Sequence, residues 1–284
     1  MRPFSLNIRG RILSFTQPVV MGILNVTPDS FFAGSRVQCA ADIAARASRL
    51  VGEGADMLDI GAYSSRPGAG DVPEAEECRR LEMALRVIRD AVGPDIPVSV
   101  DTFRASVARR CVGEWGADIV NDISSGTLDN EMFDTVADLR CPYILMHMRG
   151  TPSTMQSLTG YADVTADVIA ELSRPLNRLE ELGVADVIID PGFGFAKTLA
   201  QNYELMRNLR AFDILGRPVL VGVSRKSMIT KLLDITAAEA ELPTAVLGAL
   251  AVERGAAILR VHDVAAARQS ITLLNAVEPC LVSE

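Results

Sequence analysis

Polar side chains follow short apolar runs at several points along this sequence, and their types suggest what they could bind. The run VVMGIL leads to Asn25, SVD ends at Asp101, and IVND contains Asn121. Farther along, VIID ends at Asp190 and VLVGVSRK reaches Lys226. Carboxylates, amides and an ammonium group in this combination suit a planar heterocycle with adjacent N–H donors, and the lysine could face an exocyclic carbonyl or a ring nitrogen.

A second group of side chains has the chemistry of a phosphate site. Arg66 lies in the run SSRPG, and Arg260 and His262 lie in the run LRVHD. Guanidinium groups form paired hydrogen bonds with phosphate oxygens, and the amide oxygen of Asn25 can coordinate Mg²⁺. The two groups together predict a ligand that contains both a heterocyclic base and a phosphorylated leaving group.

Each candidate also has an ordinary structural interpretation when it is considered alone. Asp101 could cap the helix that follows it, and Asp190 could form a turn before the Pro-Gly pair. A lone lysine such as Lys226 is usually a solvated surface side chain. His147 is more typical of a core histidine than of a catalyst, and Asp122 could brace the rim of a sheet. Because six or seven strand ends become polar together, helix caps alone do not explain the pattern.

Composition argues against several classes of protein. The chain has 284 residues, a formal net charge of −8 and 49% hydrophobic residues, which suits one large globular domain or two small ones. The negative charge argues against a broad basic surface for nucleic acid. No apolar run reaches the roughly 18 residues of a membrane span, and no signal peptide is recognisable. We therefore expect a cytoplasmic protein without membrane or nucleic-acid partners, and its five scattered cysteines are expected to be reduced.

Short runs rich in Val and Ile alternate with longer amphipathic stretches along nearly the whole chain. The predicted strands lie at Val19–Asn25, Met57–Ile60, Pro97–Asp101, Ile119–Asp122, Tyr143–His147, Val187–Asp190, Val219–Val223 and Ile258–Val261. Eight βα units predict an α/β fold of the (β/α)8 TIM-barrel class, in which sites form at the C-terminal ends of the strands. A doubly wound sheet is the alternative, but neither GxGxxG nor GxxxxGK[ST] is present.

The predicted organisation is a single domain, 1–284, with its barrel over 18–280. The segment 3–16 alternates in polarity and turns at Arg9-Gly10, which predicts a β-hairpin that caps the bottom of the barrel. The helical pattern that starts at Asp167 contains Pro175, which is expected to bend or break that helix.

Six motifs, in order between about residues 20 and 263, carry a resemblance to a known family. They are MGILNVTPDSF, SVDTFR, IVNDISSG, DPGFGFAK, VGVSRKSM and LRVHD. The chain resembles the dihydropteroate synthases, a family of pterin-binding enzymes. The resemblance implies a transferase of folate synthesis that joins 6-hydroxymethyl-7,8-dihydropterin diphosphate to 4-aminobenzoate and releases diphosphate. It also implies sulfonamide inhibitors, an Mg²⁺ cofactor and a homodimer.

The resemblance further implies a role for each residue that matches the family motifs. The pterin would contact Asp101, Asn121, Met146, Asp190, Phe195, Gly222 and Lys226. The diphosphate would contact Asn25, Arg66, Arg260 and His262, and Asn25 would also bind Mg²⁺. The aminobenzoate would contact Phe31, Ser65, Arg66, Pro67, Lys226 and Ser227. The predicted catalytic residues are Asp101, Lys226, Arg260 and His262, which would stabilise a cationic pterin and the departing diphosphate without acting as nucleophiles.

The chain departs from the family pattern mainly in the run GAYSSRPG, where many members have GGESTRPG. Ala62, Tyr63 and Ser65 replace Gly, Glu and Thr there, and Ser65 is expected to keep its hydrogen bond while packing less tightly. In DPGFGFAK, Ala196 replaces a Gly, which predicts a negative φ at that position.

Two other functions would also use a pterin site. One is a methyltransferase barrel that passes a methyl group from a methylated tetrahydrofolate to a corrinoid protein. The other is a paralogue that binds pterin without catalysis. The predicted diphosphate residues argue against both, since the first does not use them and the second is expected to have lost them.

Overall fold

The computed structural model of the chain describes residues 2–26, 36–63 and 72–277, with the side chains of 36–38 excepted. Strands β1 (Phe4–Ile8) and β2 (Arg11–Phe15) form an antiparallel hairpin. The barrel strands are β3 (Val19–Asn25), β4 (Met57–Gly61), β5 (Val98–Asp101), β6 (Ile119–Asp122), β7 (Tyr143–Met146), β8 (Val187–Asp190), β9 (Leu220–Val221) and β10 (Ile258–Val261). They pair in the order β8-β7-β6-β5-β4-β3-β10-β9, and a bridge between Ile189 and Val219 joins the two edges. The predicted TIM barrel is confirmed.

The seventh barrel strand is shorter than predicted. Instead of extending from Val219 to Val223, β9 pairs regularly only over Leu220–Val221. Gly222 follows at once, and glycine weakens a strand because it adds no side chain to pack and loses more chain entropy. The barrel is therefore closed by its shortest strand, next to the residues that lead into Lys226.

Helices connect the strands on the outside of the barrel. They are α1 (Arg36–Gly52), α2 (Glu74–Val92), α3 (Ala105–Gly113), α4 (Met132–Leu139), α5 (Val164–Glu181), α6 (Leu199–Arg207), α7 (Ser227–Leu233), α8 (Glu241–Glu253) and α9 (Val264–Val277). Within the part of the chain that the structure describes, no helix is long and apolar enough to cross a membrane.

Helix α5 continues through Pro175, so the prediction that this proline could break the helix is wrong. Proline removes one backbone N–H donor and crowds the preceding turn. The buried residues Leu172, Leu176 and Leu179 lie on both sides of that point and hold the helix against the barrel. Tertiary packing therefore outweighs the local preference.

Two layers of buried apolar side chains pack on the barrel strands, one outside the barrel and one inside it. The larger one lies between the strands and the outer helices, and includes Leu58, Leu81 and Leu145. The second lies at the N-terminal ends of the strands, where Leu6 and Ile8 of the hairpin pack on residues from inside the barrel, including Val19, Met21, Met57, Ile119, Ile144, Ile188, Leu220 and Ile258. The hairpin thus caps the bottom of the barrel as predicted, and it leaves the C-terminal ends of the strands as the open mouth.

Candidate active site

The register of the first strands brings three predicted site residues into one layer at the mouth. Asn25 of β3 and Asp101 of β5 both pair with Gly61 of β4, and Asp101 pairs with Asn121 of β6. Gly61 adds no side chain between its neighbours. A Cβ built there would lie 3.7 Å from Asn25 Oδ1 and 3.7 Å from Asp101 Oδ2. The amide and the carboxylate therefore face the same small space.

The opposite side of the mouth carries the remaining pterin candidates. Met146 of β7 pairs with Asp190 of β8, and Met146 lies in one apolar cluster with Phe195. Lys226 precedes α7, and its Nζ donates a hydrogen bond to the Phe193 carbonyl at 2.7 Å. The same Nζ lies 4.7 Å from the centroid of the Phe195 ring. An apolar face and a cation are therefore adjacent, which suits a flat heterocycle that also carries hydrogen-bonding edges.

Arg260 reaches from β10 into this ring of acceptors. Its Nε donates to Asp59 Oδ2 at 2.7 Å, and its Nη2 donates to Asp101 Oδ2 at 2.9 Å. Asn121 Nδ2 also donates to Asp59, at 3.2 Å to Oδ2 and 3.3 Å to Oδ1. The four side chains form one network, in which Asp59 is fully buried.

Sequence reasoning missed Asp59, although a signal was present. It interrupts the run MLDIG, in which the other four residues are apolar or glycine and all five are buried. A carboxylate inside such a strand requires a partner because its isolated burial is very costly. An unexplained Asp within an apolar barrel strand therefore indicates a cation inside the barrel, which here is Arg260.

Burial shifts the pKa values of the charged side chains at the barrel mouth. It raises the pKa of Asp101, where Arg260 opposes the shift and Asp59 adds to it. Burial also raises the pKa of Asp190, with Lys226 as the main opposing charge. In turn, burial lowers the pKa of Lys226 to about 8 against the effect of Asp190. Each of these groups therefore depends on an oppositely charged neighbour to stay ionised near neutral pH.

Three further predicted residues lie around the same strand ends. A Cβ on the buried Gly222 would lie 3.9 Å from Lys226 Nζ, so this glycine keeps space beside the ammonium group. His262 follows β10, and its Nδ1 lies 3.0 Å from Ser224 Oγ. Ser227 is exposed at the first position of α7.

Asp122 braces the rim of the barrel. Its carboxylate accepts hydrogen bonds from Tyr143 Oη, from Ser124 N and from Gly126 N, each at 2.7 Å. These donors satisfy both oxygens of a fully buried group. The geometry therefore favours a structural role for Asp122 over contact with a ligand.

Lys197 is the second residue that sequence reasoning missed. It is 4% exposed and donates hydrogen bonds to the Gly192 carbonyl at 2.9 Å and to the Phe195 carbonyl at 3.0 Å. The sequence contains three lysines among its 28 basic residues, and Lys197 and Lys226 both lie in motifs that follow barrel strands. The position of two of the three lysines in such motifs, in a chain whose other basic residues are nearly all arginine, was the available signal.

The prediction of a negative φ at Ala196 is wrong, since this residue has a φ of 49°. The left-handed conformation costs a residue with a Cβ roughly 1–2 kcal/mol. The left-handed turn at Ala196 directs the Lys197 side chain back toward the Gly192 and Phe195 carbonyls of the same loop. The strain at Ala196 and the hydrogen bonds of Lys197 are therefore two parts of one turn.

Four predicted residues, Phe31, Ser65, Arg66 and Pro67, lie outside the described residues. The two neighbouring departures from the family pattern are described. Ala62 is fully buried, and the Tyr63 ring packs edge-on against Phe103 with 5.3 Å between centroids. Tyr63 is partly buried at the rim, and the Arg104 guanidinium carbon lies 6.0 Å from the centroid of its ring.

The residues at the mouth fit a weakly held Mg²⁺. In the described ranges, His, Cys, Asp and Glu side chains form no group of three or more that could hold a metal ion. Mg²⁺ commonly binds through one or two protein oxygens together with substrate phosphates and waters. The amide oxygen of Asn25, which faces Asp101 across Gly61, is a donor of that kind.

Comparison with known proteins decides the family. The family model described as pterin binding enzyme matches residues 21–262. A dihydropteroate synthase from Synechocystis sp. is 42% identical over 260 residues, which are 90% of this chain and 89% of that protein. The chain belongs to the dihydropteroate synthase family. The predictions of a transferase and of a role in folate synthesis are confirmed with it.

Solved dihydropteroate synthases have the same fold. The Xanthomonas albilineans enzyme with 4-aminobenzoic acid has a TM-score of 0.89 and 40% identity, and the match covers 97% of this chain and 98% of that one. The Yersinia pestis enzyme in a sulfonamide drug complex has a TM-score of 0.89 and 35% identity, with 98% and 100% covered. The likeness extends over the hairpin and the barrel together.

Proposed function

We propose that this dihydropteroate synthase family member condenses 6-hydroxymethyl-7,8-dihydropterin diphosphate with 4-aminobenzoate to give 7,8-dihydropteroate and diphosphate. The observation that carries the proposal is the convergence of acceptors and cations at one barrel mouth: Asp101, Asn121, Asp190, Lys226 and Arg260. The Xanthomonas albilineans relative, solved with 4-aminobenzoic acid, supports the second substrate.

The pterin would lie between the apolar cluster and the polar ring. Met146 and Phe195 offer its faces an apolar surface. Asp101 and Asp190 would accept hydrogen bonds from the N–H edge, Asn121 would add an amide, and Lys226 would donate to the carbonyl or a ring nitrogen. Lys226 already donates to a backbone carbonyl, so its Nζ points toward the loop that carries Phe195.

The proposed reaction breaks the bond between the pterin methylene carbon and the diphosphate oxygen, which leaves with the electron pair. The lone pair of the aromatic amine then attacks that carbon, and the amine loses a proton as the C–N bond forms. Asp101 would stabilise the cationic pterin, while Arg260 and His262 would stabilise the charge on the leaving group. Positioning of the amine next to the carbon supplies the rest of the acceleration.

Asn25 would hold the Mg²⁺ that the family resemblance implies, together with oxygens of the diphosphate. When bound, the ion would neutralise charge that develops on the leaving group. Asp101 lies across Gly61 from Asn25, so the residue proposed to stabilise the pterin cation and the residue proposed to hold the ion share one layer of the barrel.

The aminobenzoate would bind beside Lys226 and Ser227, with Phe31, Ser65, Arg66 and Pro67 completing its site. Sulfonamides would compete for this position, and the sulfonamide complex of the Yersinia pestis relative supports this part of the proposal. Ser65 in place of a threonine would keep a hydroxyl group near the substrate.

Diphosphate release by the purified chain, with both substrates and with or without Mg²⁺, tests the proposal. Turnover that requires both substrates and Mg²⁺, and that falls at least 100-fold in Lys226→Ala, is the expected result. Lys231→Ala is the matched control, because Lys231 is an exposed lysine five positions along the chain. Pterin binding without diphosphate release would favour the non-catalytic paralogue, and methyl transfer to a corrinoid protein would favour the methyltransferase.

The proposal includes a homodimer formed through α8 and α9. These helices pack on each other and expose an apolar groove lined by Leu242, Val246, Leu273 and Val277, whose exposed fractions are 73%, 53%, 69% and 78%. Contiguous exposed apolar surface of this kind marks an interaction site. A second copy is the occupant we propose, while the cytoplasmic location stays a prediction.

A further inference from the structure

Lys197, in the loop that connects β8 with α6, makes two hydrogen bonds within this loop and a third contact with His147, which follows β7. Its Nζ donates to the Gly192 and Phe195 carbonyls and lies 3.0 Å from His147 Nδ1. An ammonium group has three N–H donors, so the three acceptors match its full capacity. At 4% exposure the side chain has little access to water that could replace these partners.

His147 is itself fixed in the orientation that accepts from Lys197. Its Nε2 lies 2.9 Å from Glu171 Oε2 of α5, so the carboxylate selects the tautomer in which Nε2 carries the proton and Nδ1 is the acceptor. Arg149 holds the other side of Glu171 through its Nε, 3.1 Å from Oε1. A chain of polar contacts therefore runs from the surface of α5 to the buried Lys197 ammonium.

The loop to which Lys197 donates its hydrogen bonds carries three groups of the candidate site. Asp190 opens the loop, and its Oδ1 accepts from Gly192 N at 2.8 Å. Phe195 packs in the apolar cluster beside Lys226, and the Phe193 carbonyl accepts from the Lys226 ammonium. The loop also packs tightly on β7, since a Cβ on Gly192 would lie 1.9 Å from the His147 carbonyl oxygen. A shift of this loop would move Asp190, Phe195 and Lys226 together.

We propose that Lys197 is a positioning residue for the proposed pterin site. Its hydrogen bonds hold the loop 191–196, so that Asp190, Phe195 and the Phe193 carbonyl that accepts from Lys226 keep their places. This inference rests on the function proposed above. Lys197 acts through the two loop carbonyls and His147, while Lys226 makes a separate contact with the Phe193 carbonyl of the same loop. The loss of its donors would remove the Lys197 partner of the Phe195 carbonyl and leave the Gly192 carbonyl with only the Phe195 N–H, 3.1 Å away.

The test compares Lys197→Met, which keeps the length and apolar stem of the side chain, with Lys231→Met at the exposed lysine. Calorimetry with the pterin diphosphate alone gives its Kd, and steady-state assays give the KM of each substrate. We expect the pterin Kd and KM to rise at least tenfold in Lys197→Met and to stay unchanged in Lys231→Met. The aminobenzoate KM, measured at saturating pterin diphosphate, should change less than threefold, because the loop holds pterin contacts.

A pterin Kd in folded Lys197→Met within twofold of the wild-type value would overturn the proposal, even if its melting temperature fell. If Lys197→Met does not fold, Lys197→Gln replaces it, and the same twofold limit applies. Wild-type protein that binds pterin diphosphate without releasing diphosphate refutes the proposed reaction, while the Kd comparison still tests Lys197.

Wild-type protein that does not bind the pterin diphosphate refutes the proposed function itself. The anchoring is then measured by hydrogen exchange of the backbone amides of residues 192–196, since Pro191 has no amide hydrogen. Faster exchange in Lys197→Met than in both wild type and Lys231→Met supports the anchor, and equal exchange overturns it.

Discussion

Charged side chains at the barrel mouth are held by oppositely charged neighbours, and Asp59 with Arg260 is a deeply buried pair of this kind. Asp59 is fully buried and the Arg260 side chain is 18% exposed. Removal of one partner from a buried pair leaves an uncompensated charge, which typically costs about 3–5 kcal/mol. An exposed pair of the same charges is worth only about 0.2–1 kcal/mol. The two kinds of pair can therefore be compared within this chain.

We predict strong coupling between Asp59 and Arg260. In a double-mutant cycle of Asp59→Asn and Arg260→Met, the free energies of unfolding should be non-additive by about 1–3 kcal/mol. The exposed pair Glu82 and Arg86 on α2, with Nη2 and Oε1 2.8 Å apart, is the control. Its cycle, Glu82→Gln and Arg86→Met, should give less than about 0.5 kcal/mol. Urea unfolding measures both, and equal coupling in the two cycles would contradict the interpretation.

His147 gives a prediction about pH. Burial lowers its pKa to about 4 from an ordinary value of 6.5, while its hydrogen bond to Glu171 opposes the shift. The unfolded chain therefore binds a proton between pH 6.5 and pH 4 that the folded chain does not bind. The stability contributed by neutral His147 is complete above pH 6.5 and is lost as the pH falls toward 4.

The matched variant is His147→Gln, which lacks this titration and keeps His262. Between pH 7.5 and pH 5, the free energy of unfolding of wild type relative to His147→Gln should fall by about 2 kcal/mol. Urea unfolding at a series of pH values measures the difference. A difference that is constant with pH would mean that His147 is protonated as readily in the folded chain as in the unfolded one.

Sequence reasoning found most of the polar residues at or near strand ends, and Arg260 within β10, but missed Asp59 and Lys197. Asp101, Asn121 and Asp190 stand out because an apolar run stops at each of them. Asp59 lies in the middle of β4, and Lys197 lies seven residues after β8. Their roles depend on partners far away in the sequence, Arg260 and His147, and no local pattern specifies such pairs.

At the scale of elements, the hairpin shows how far local signals determine structure. Arg9 and Gly10 both have positive φ, 51° and 79°, as a two-residue turn of the favoured type requires. The alternation of β1 then buries Leu6 and Ile8 on one face. By contrast, the left-handed Ala196 and the unbroken path of α5 through Pro175 depend on tertiary contacts, so local preferences predicted both incorrectly.

We predict that the hairpin contributes to the stability of the whole barrel. Leu6 is 1% exposed and packs on the lower layer of the barrel interior, whereas Ile12 of β2 is 66% exposed. Leu6→Ala should lower the free energy of unfolding by about 2–5 kcal/mol, because it leaves a cavity in that layer. Ile12→Ala, the matched control in the same hairpin, should cost less than about 1 kcal/mol. Similar losses in a denaturant titration would show that the hairpin does not seal the barrel.

At the scale of the whole molecule, the alternation of apolar runs and amphipathic stretches was sufficient to predict the barrel. Each βα unit places its strand end at the same mouth, so polar residues scattered over more than 200 positions converge there without any local signal of contact. Assembly between molecules has no comparable signal in the sequence pattern. The proposed dimer rests instead on the apolar outer surface of α8 and α9.

The proposed dimer leads to the last prediction. Helix α8 buries Thr244, Ala251 and Val252 against the barrel and is apolar on its outer face as well, a pattern typical of a helix covered on both sides. Leu273→Glu on α9 should convert the dimer to a monomer in sedimentation-velocity experiments, because a carboxylate would be buried without a partner at the interface.

The control for this prediction is Ile214→Glu. Ile214 is 78% exposed, on the 3-10 segment Leu209–Leu215, outside the groove between α8 and α9. This substitution should leave the dimer intact and so show that added charge alone does not dissociate it. A wild-type chain that sediments as a monomer would contradict the proposed dimer.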